Sequence, residues 1–413
     1  MKEKATKNIL IIGASLYGCL LAYQFSKDKK NKVYLVDGSR KILSSLNEIK
    51  INSLKLNNGF HGIEIPRATD FVNFLIKKLK IKLHINDKIQ KMLLDRFIVD
   101  YKDNYNQWPE SIRVNLKKNF LIKKKDRFNK FYTSGLLKLI DNCATRFNKD
   151  KNQYRHLFLP WFLPSEYKLQ SKDEGDMFRQ KVRENRIMFK YAVPKTKLFS
   201  ALQKKFDQFL RKKGVKIILE SSVKFKKKSL FFEDNVDLNN QKFDHVFFCA
   251  PLAFILKTLN PNHLKRIISY KRYLLNVLIK VNKKINFTEM ICLNKKLQGL
   301  NRISVVKKSN LKNNSILQLE IIQKEDNLKV IDQKNIKNEI QKIFQLKKKP
   351  NLLGYKTSRV MFFPNKAWNL KSIKIIKDWK KNFETKINLR YSFGPINMAK
   401  AWIYSEEDSK LND

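Results

Sequence analysis

Residues 8–37 open with Asn8-Ile-Leu-Ile-Ile-Gly13-Ala14-Ser15-Leu16-Tyr17-Gly18, run on through an apolar stretch to Phe25, and close on Lys32-Val-Tyr-Leu-Val-Asp37. Two short runs of Ile, Leu and Val flank an apolar stretch of helical length. That order predicts strand, turn, helix and strand, with the helix over 16–27. The turn holds Gly13 and Gly18. A helix N-terminus carries unpaired N–H groups and the positive end of the helix dipole, so it suits a pyrophosphate. Gly13 allows the tight turn, position 15 lies where backbone must approach the phosphates, and Gly18 lets the helix pack close on the strand. Asp37 ends the second strand, where a carboxylate accepts hydrogen bonds from ribose hydroxyls. Ser15 stands where Gly is usual; being small, it tightens that approach without blocking it. The pattern predicts dinucleotide binding at Gly13, Ser15, Gly18 and Asp37.

The whole chain is consistent with a large folded protein. Its 413 residues allow two or three domains, and 43% hydrophobic with 12% aromatic residues is enough for real cores. No run reaches about 18 consecutive apolar residues, so no transmembrane helix is expected. Net charge is +50, yet 16 of the 87 basic residues are Arg and the rest are Lys spread over the full length. Lys, Asn and Ile abound together, as A/T-heavy codons would give. Nucleic-acid binding is disfavoured on that ground, although the charge still attracts anionic ligands at long range. Cys19, Cys143, Cys249 and Cys292 show no paired spacing, which leaves zinc unsupported and fits a reducing cytoplasm. Lys2, Lys4 and Lys7 before an apolar run outline a signal peptide, but the glycine spacing and the acid-terminated second strand favour a folded unit.

Beyond Asp37 the chain departs from the steady strand–helix alternation of a compact nicotinamide dehydrogenase. Leu56-Asn-Asn-Gly59-Phe-His61-Gly62-Ile-Glu64-Ile-Pro66-Arg67 leads to a helix expected over 69–80. A helix of about 15 residues is expected to begin around Tyr191-Ala-Val-Pro194 and to end at Arg211-Lys-Lys-Gly214. Val215–Val223 reads as a strand, and Phe243-Asp-His-Val-Phe-Phe-Cys-Ala250-Pro251 as a buried strand. Alternation over 273–281, 302–307, 315–322 and 356–363 predicts antiparallel strands, one face of which backs a cleft.

This ordered set resembles the flavoprotein amine-oxidase superfamily, which includes amine oxidases, protoporphyrinogen oxidase-like enzymes and UDP-galactopyranose mutases. Four pieces carry the resemblance: the fingerprint with Asp37; Gly59-Phe60-His61 with its helix; the helix–strand–Ser-Ser-Val223 stretch followed by Asp-His-Val-Phe-Phe-Cys-Ala-Pro; and Arg390-Tyr-Ser-Phe-Gly394-Pro-Ile-Asn397-Met398-Ala-Lys-Ala401. The resemblance implies an α/β fold in which an FAD-binding Rossmann-like domain (1–75, 192–260 and 376–413) is interleaved with an α+β substrate domain (76–191 and 261–375) containing an antiparallel sheet. It implies FAD as cofactor, with the Val223 backbone at the adenine and Gly394, Asn397 and Met398 near the flavin ring. Two departures stand out. Leu43-Ser44-Ser45-Leu46 occupies the place of the family's Gly-Gly pair, and Leu389 replaces the Gly before Arg390.

Catalytic candidates are few. His61 falls where the mutases place a His close to the flavin, and reads equally as a loop histidine with structural hydrogen bonds; Arg67 offers a bidentate grip on an anionic substrate, but a surface ion pair is the favoured reading. The aromatic segment around Trp161 reads either as a pocket wall or as a core connector. Phe362-Phe363-Pro364 stands where the mutases have Tyr hydroxyls for phosphate, which counts against a sugar-nucleotide substrate. The expected activity is hydride transfer from a small substrate to flavin. The alternatives are mutase chemistry on a sugar nucleotide without net redox change, and a non-catalytic basic binding protein on the same fold.

Overall fold

The structure is a computed structural model. It describes residues 6–58, 62–65, 68–87, 90–94, 97–100, 190–196, 198–226, 229–250, 268–293, 300–308, 314–323, 333–364, 386–389 and 398–410. The N-terminal elements are β1 (Lys7–Ile12), α1 (Leu16–Phe25), β2 (Asn31–Val36), β3 (Glu48–Ile51), β4 (Leu54–Asn57), β5 (Ile63–Ile65), α2 (Thr69–Lys77), β6 (Leu83–Asp87), β7 (Gln90–Leu94) and β8 (Phe97–Asp100). Next come β9 (Lys190–Pro194), α3 (Ala201–Lys212), β10 (Lys216–Ile218), β11 (Val223–Lys226), β12 (Ser229–Phe232), α4 (Val236–Asn239) and β13 (His245–Phe248). The rest are β14 (Ile268–Val281), β15 (Glu289–Leu293), β16 (Leu300–Lys308), β17 (Ser315–Gln323), α5 (Gln333–Ile343), β18 (Asn351–Pro364), β19 (Lys386–Leu389) and α6 (Met398–Ser409).

Five parallel strands form one sheet in the order β10-β2-β1-β13-β19. Parallel sheets are covered on both faces, which is why β1 and β2 read as unbroken apolar runs. Ile9, Leu10 and Ile11 are fully buried at the centre. The chain builds outward from β1 through β2 to β10, then returns to the other side of β1 for β13 and β19. The order therefore reverses between β1 and β13, and a crevice at the C-terminal ends of strands opens at such a reversal. Helices α1, α2, α3 and α6 pack together on this unit. Tyr23, Phe74 and Phe209 meet between α1, α2 and α3, and Trp402 of α6 packs against Phe74 in a tilted pair at 5.3 Å between ring centres.

The second large sheet has the order β18-β14-β17-β16-β15-β7-β8 and is antiparallel apart from the β15–β7 pair. The alternation predicted over 273–281, 302–307, 315–322 and 356–363 is realised in β14, β16, β17 and β18. Leu275, Val277, Leu317, Leu319 and Ile303 line one face, under Ile340 of α5. On the other face the β3–β4 hairpin covers Leu278 with Ile49, Ile51 and Leu56.

Past that hairpin the same face turns polar while staying buried. Asn276 pairs across the strands with Glu320, Glu320 with Arg302, Ser304 with Gln318, and Glu289 with Ser304. Arg302 makes a two-pronged contact with Glu320, its Nη2 2.8 Å and its Nε 3.1 Å from Oε2, and Glu289 approaches Nη1 at 3.7 Å. Burial pulls the guanidinium toward neutrality. Glu320 and then Glu289 outweigh it and hold the pKa of Arg302 above its ordinary value, so it stays cationic.

Three local expectations give way to the structure. Tyr191–Pro194 belongs to β9, pairing antiparallel with both β5 and β6, and the following helix starts only at Ala201. Ala192 faces the core there, and Pro194 ends the strand. The strand expected over 215–223 is split into β10 and β11, because Glu220 takes a left-handed φ of 55°. The α2 helix stops at Lys77, short of 80.

Removing only the cation of the buried group leaves two carboxylates without it. Arg302→Met is expected to lower stability by about 3 kcal/mol, because breaking a buried pair strands its partners. Adding Glu289→Gln and Glu320→Met in the same background is expected to recover most of that loss. Urea denaturation of the three proteins checks it.

Candidate functional site

The turn from β1 into α1 sits at the strand-order reversal, against the end of β13. Gly13 has a φ of 105°, and a Cβ there would lie 2.8 Å from the Ala250 nitrogen. A Cβ on Gly18 would overlap the Gly13 carbonyl oxygen. Both glycines are thus required by the protein's own packing. Ser15 caps α1 in an extended conformation (φ −65°, ψ 173°). Its hydroxyl accepts the Gly18 N–H at 3.3 Å and donates to the Cys249 carbonyl at 3.1 Å. Among the described residues, neither the Ser15 nor the Leu16 backbone N–H finds a hydrogen-bond acceptor.

Asp37 follows β2 directly and turns back onto this loop. Its carboxylate accepts the Ala14 N–H at 2.6 Å and the Ser39 N–H at 2.7 Å. The Asp37 carbonyl accepts the Ser221 N–H at 3.2 Å, and the Ser39 carbonyl accepts Glu220. This pins Glu220 and Ser221 beside the Asp37 loop, and Val223 opens β11 two residues further on. Leu43 stands where the resemblance expected glycine, yet keeps a left-handed φ of 53° with its side chain fully buried. Its N–H donates to the Ala14 carbonyl at 2.7 Å. Between the 39–48 loop and the start of α3 lies a cleft of about 600 Å³, lined by Ser39, Arg40, Lys41, Ser44, Ser200 and Gln203 among others.

The structure brings Gly13, Ser15, Gly18 and Asp37 together at one end of the parallel sheet; Val223 lies two residues beyond Ser221, whose N–H donates to the Asp37 carbonyl. Met398 begins α6, which packs on α1; there the Tyr17 hydroxyl donates to the Asp408 carboxylate. His61, Arg67, Gly394 and Asn397 lie outside the described residues, as does the segment around Trp161. Phe362 and Phe363 fall on β18, paired with Lys271 and Tyr270. No group of metal-ligating side chains occurs among the described residues. The residues lining the cleft escaped the sequence reading, although Ser39-Arg40-Lys41, one glycine after the strand-ending acid, was the available signal.

The donor set fits the diphosphate of a dinucleotide. Among the described residues, two backbone N–H groups remain at the positive end of α1, Lys41 lies on the next loop beside Arg40, whose guanidinium pairs with Glu220, and Asp37 sits at the neighbouring strand end.

A parallel sheet joined to a large antiparallel sheet is an arrangement that this chain shares with several solved enzymes. Solved structures match along the whole chain. A UDP-galactopyranose mutase in its reduced form matches with a TM-score of 0.65 at 12% identity, over 99% of this chain and 94% of its own. A candidate protoporphyrinogen oxidase from Exiguobacterium sp. 255-15 matches with 0.64 at 12% identity, over 99% and 100%. A putrescine oxidase bound to putrescine matches with 0.58 at 9% identity, over 98% of both chains. At such identities the likeness is one of fold. No protein-family model and no curated protein matches the sequence. No helix among the described residues is long and apolar enough to cross a membrane.

Two expectations follow from the packing. Gly18→Ala is expected to cost at least about 3 kcal/mol, because the clash is with rigid backbone. Gly38→Ala, whose nearest contact would be at 3.9 Å, should stay within about 0.5 kcal/mol of wild type; thermal denaturation compares them. Burial also pushes the thiols of Cys19, Cys249 and Cys292 up, with Asp37 adding to the effect at Cys19 and Asp408 at Cys249. The folded chain then holds these protons when the unfolded chain, with thiols near about 8.5, has lost them. Their contribution is intact below about pH 8.5 and is lost as pH rises above it. Urea denaturation at neutral and at alkaline pH should show that fall, and Cys292→Ala should make it shallower.

Proposed function

We propose that the protein is an FAD-dependent oxidoreductase of the amine-oxidase-like kind, acting on a small molecule. The observation that carries this reading is the α1 N-terminus with two N–H groups that no described residue accepts, beside Asp37, in a chain that shares its fold end to end with the structures above. Gly13, Ser15 and Gly18 would lie along the diphosphate, Asp37 at the adenosine ribose and the Val223 backbone at the adenine. Gly394, Asn397 and Met398 would border the ring, where a helix start favours the negative charge of reduced flavin. The flavin supplies the chemistry when bound, taking a hydride from a C–N or C–H bond, and the protein orients substrate and tunes the ring. His61 and Arg67 are the candidates for contacting substrate. In this reading, 1–75, 192–260 and 376–413 form the cofactor half, and 76–191 with 261–375 form the substrate half.

The test is optical. Purified protein is expected to show absorbance bands near about 375 and 450 nm, typical of oxidised flavin. Anaerobic addition of a substrate should bleach them. A colourless protein that takes up no FAD would overturn the reading. Turnover only after dithionite reduction, with no net electron change, would replace the oxidase by mutase chemistry.

A further inference from the structure

At the start of α1 this chain supplies from its own side chains what a phosphate would otherwise supply. The Ser15 hydroxyl occupies the Gly18 N–H and at the same time reaches across to the Cys249 carbonyl at the end of β13. The Asp37 carboxylate takes the Ala14 N–H, and the Leu43 N–H takes the Ala14 carbonyl. Glycine at position 15 would have no hydroxyl: the Gly18 N–H would be left to a bound anion, and the Cys249 carbonyl would lose its donor. An N-cap hydroxyl satisfies one of the unpaired donors of a helix start and stabilises the helix without any ligand.

We infer that Ser15 is a latch on the diphosphate turn: it holds the ligand-free turn in shape and sets the affinity, because phosphate oxygens compete with its hydroxyl for the end of α1. The latch rests on the proposed function only for the identity of the anion. Binding at this turn adds less stability than it would to an unlatched turn, so the protein folds without its dinucleotide and releases it reversibly.

The experiment compares wild type, Ser15→Ala and Ser15→Gly as full-length proteins stripped of ligand. Thermal melting is followed alone, with FAD and with ADP. Without ligand, Ser15→Ala should melt about 2–4 °C below wild type, as the loss of an N-cap does in a large domain. FAD should raise the melting temperature more in both variants than in wild type, and its dissociation constant should fall on the order of fivefold or more for Ser15→Gly. A role confined to packing would lower the melting temperature and leave the ligand-induced rise unchanged, and that result overturns the latch. So does a ligand-free Ser15→Ala that melts with wild type. If neither FAD nor ADP shifts any of the three proteins, the flavin reading falls and so does the competition at the helix end.

Discussion

The fold depends on how closely two pieces of backbone approach at the end of the central strand. Gly13 lies against Cys249 and Ala250 with no room for a side chain, and Gly18 lies against the carbonyl of Gly13. These contacts set α1 close to β1 and bring the end of β13 up to the turn. Once β13 is there, β19 can pair beyond it, and the return helix α6 can lie on α1. Strands from distant parts of the chain thus converge on one loop. Asp37 and Leu43 then tie the next loop to the same few atoms. The tight turn at this point is geometry that the sheet needs in any case, whatever binds there.

The antiparallel sheet shows a different balance. One face is a conventional apolar core under α5. The other carries Asn276, Gln318, Glu320 and Glu289 at 4% exposure or less. Burying such groups is costly unless each finds a partner. The partners come from across the strands: Arg302 for Glu320, and Asn276 for the Gln318 amide at 2.6 Å. Gln318 also reaches the Asn57 carbonyl at 3.4 Å, while the Asn57 side chain accepts the Phe199 N–H at 2.9 Å. The polar face is therefore linked through one asparagine to the start of α3. Polar pairing of this kind constrains how the hairpin and the sheet meet more than it adds to stability.

The parts legible in the sequence were those governed by local rules. The unbroken runs of β1 and β2, the glycine spacing and the acid at Asp37 each follow from one physical demand. Simple alternation revealed β14, β16, β17 and β18. Where tertiary contacts overrule local preference, the reading failed. Tyr191–Pro194 looks like the approach to a helix, yet it is drawn into a sheet by β5 and β6, which lie far upstream in the chain. Glu220 breaks an apparently continuous strand because the chain must turn there to reach Asp37. Leu43 adopts a conformation that favours glycine, so no composition rule would have found that turn. The Arg302 group was visible only as Gln318 and Glu320 alternating with leucines, a pattern that ordinarily marks a wet face. Burial of that face depends on what covers it, which spacing along a strand does not encode.

The border of the antiparallel sheet has one further consequence. β18 is 14 residues long and lies at the margin of the sheet among the described residues. A strand of that length is a template on which another copy can pair and begin an aggregate. Near Gly354 the register with β14 slips, and Leu353 drops out of the ladder. The Asn52 amide, at the tip of the β3–β4 hairpin, donates to the Leu353 carbonyl, and Ile51 sits where a side chain on Gly354 would go. The slip and the hairpin tip together interrupt the margin with the chain's own atoms. A polypeptide this rich in lysine already repels its copies at a distance; here it also denies them a continuous docking rail at contact.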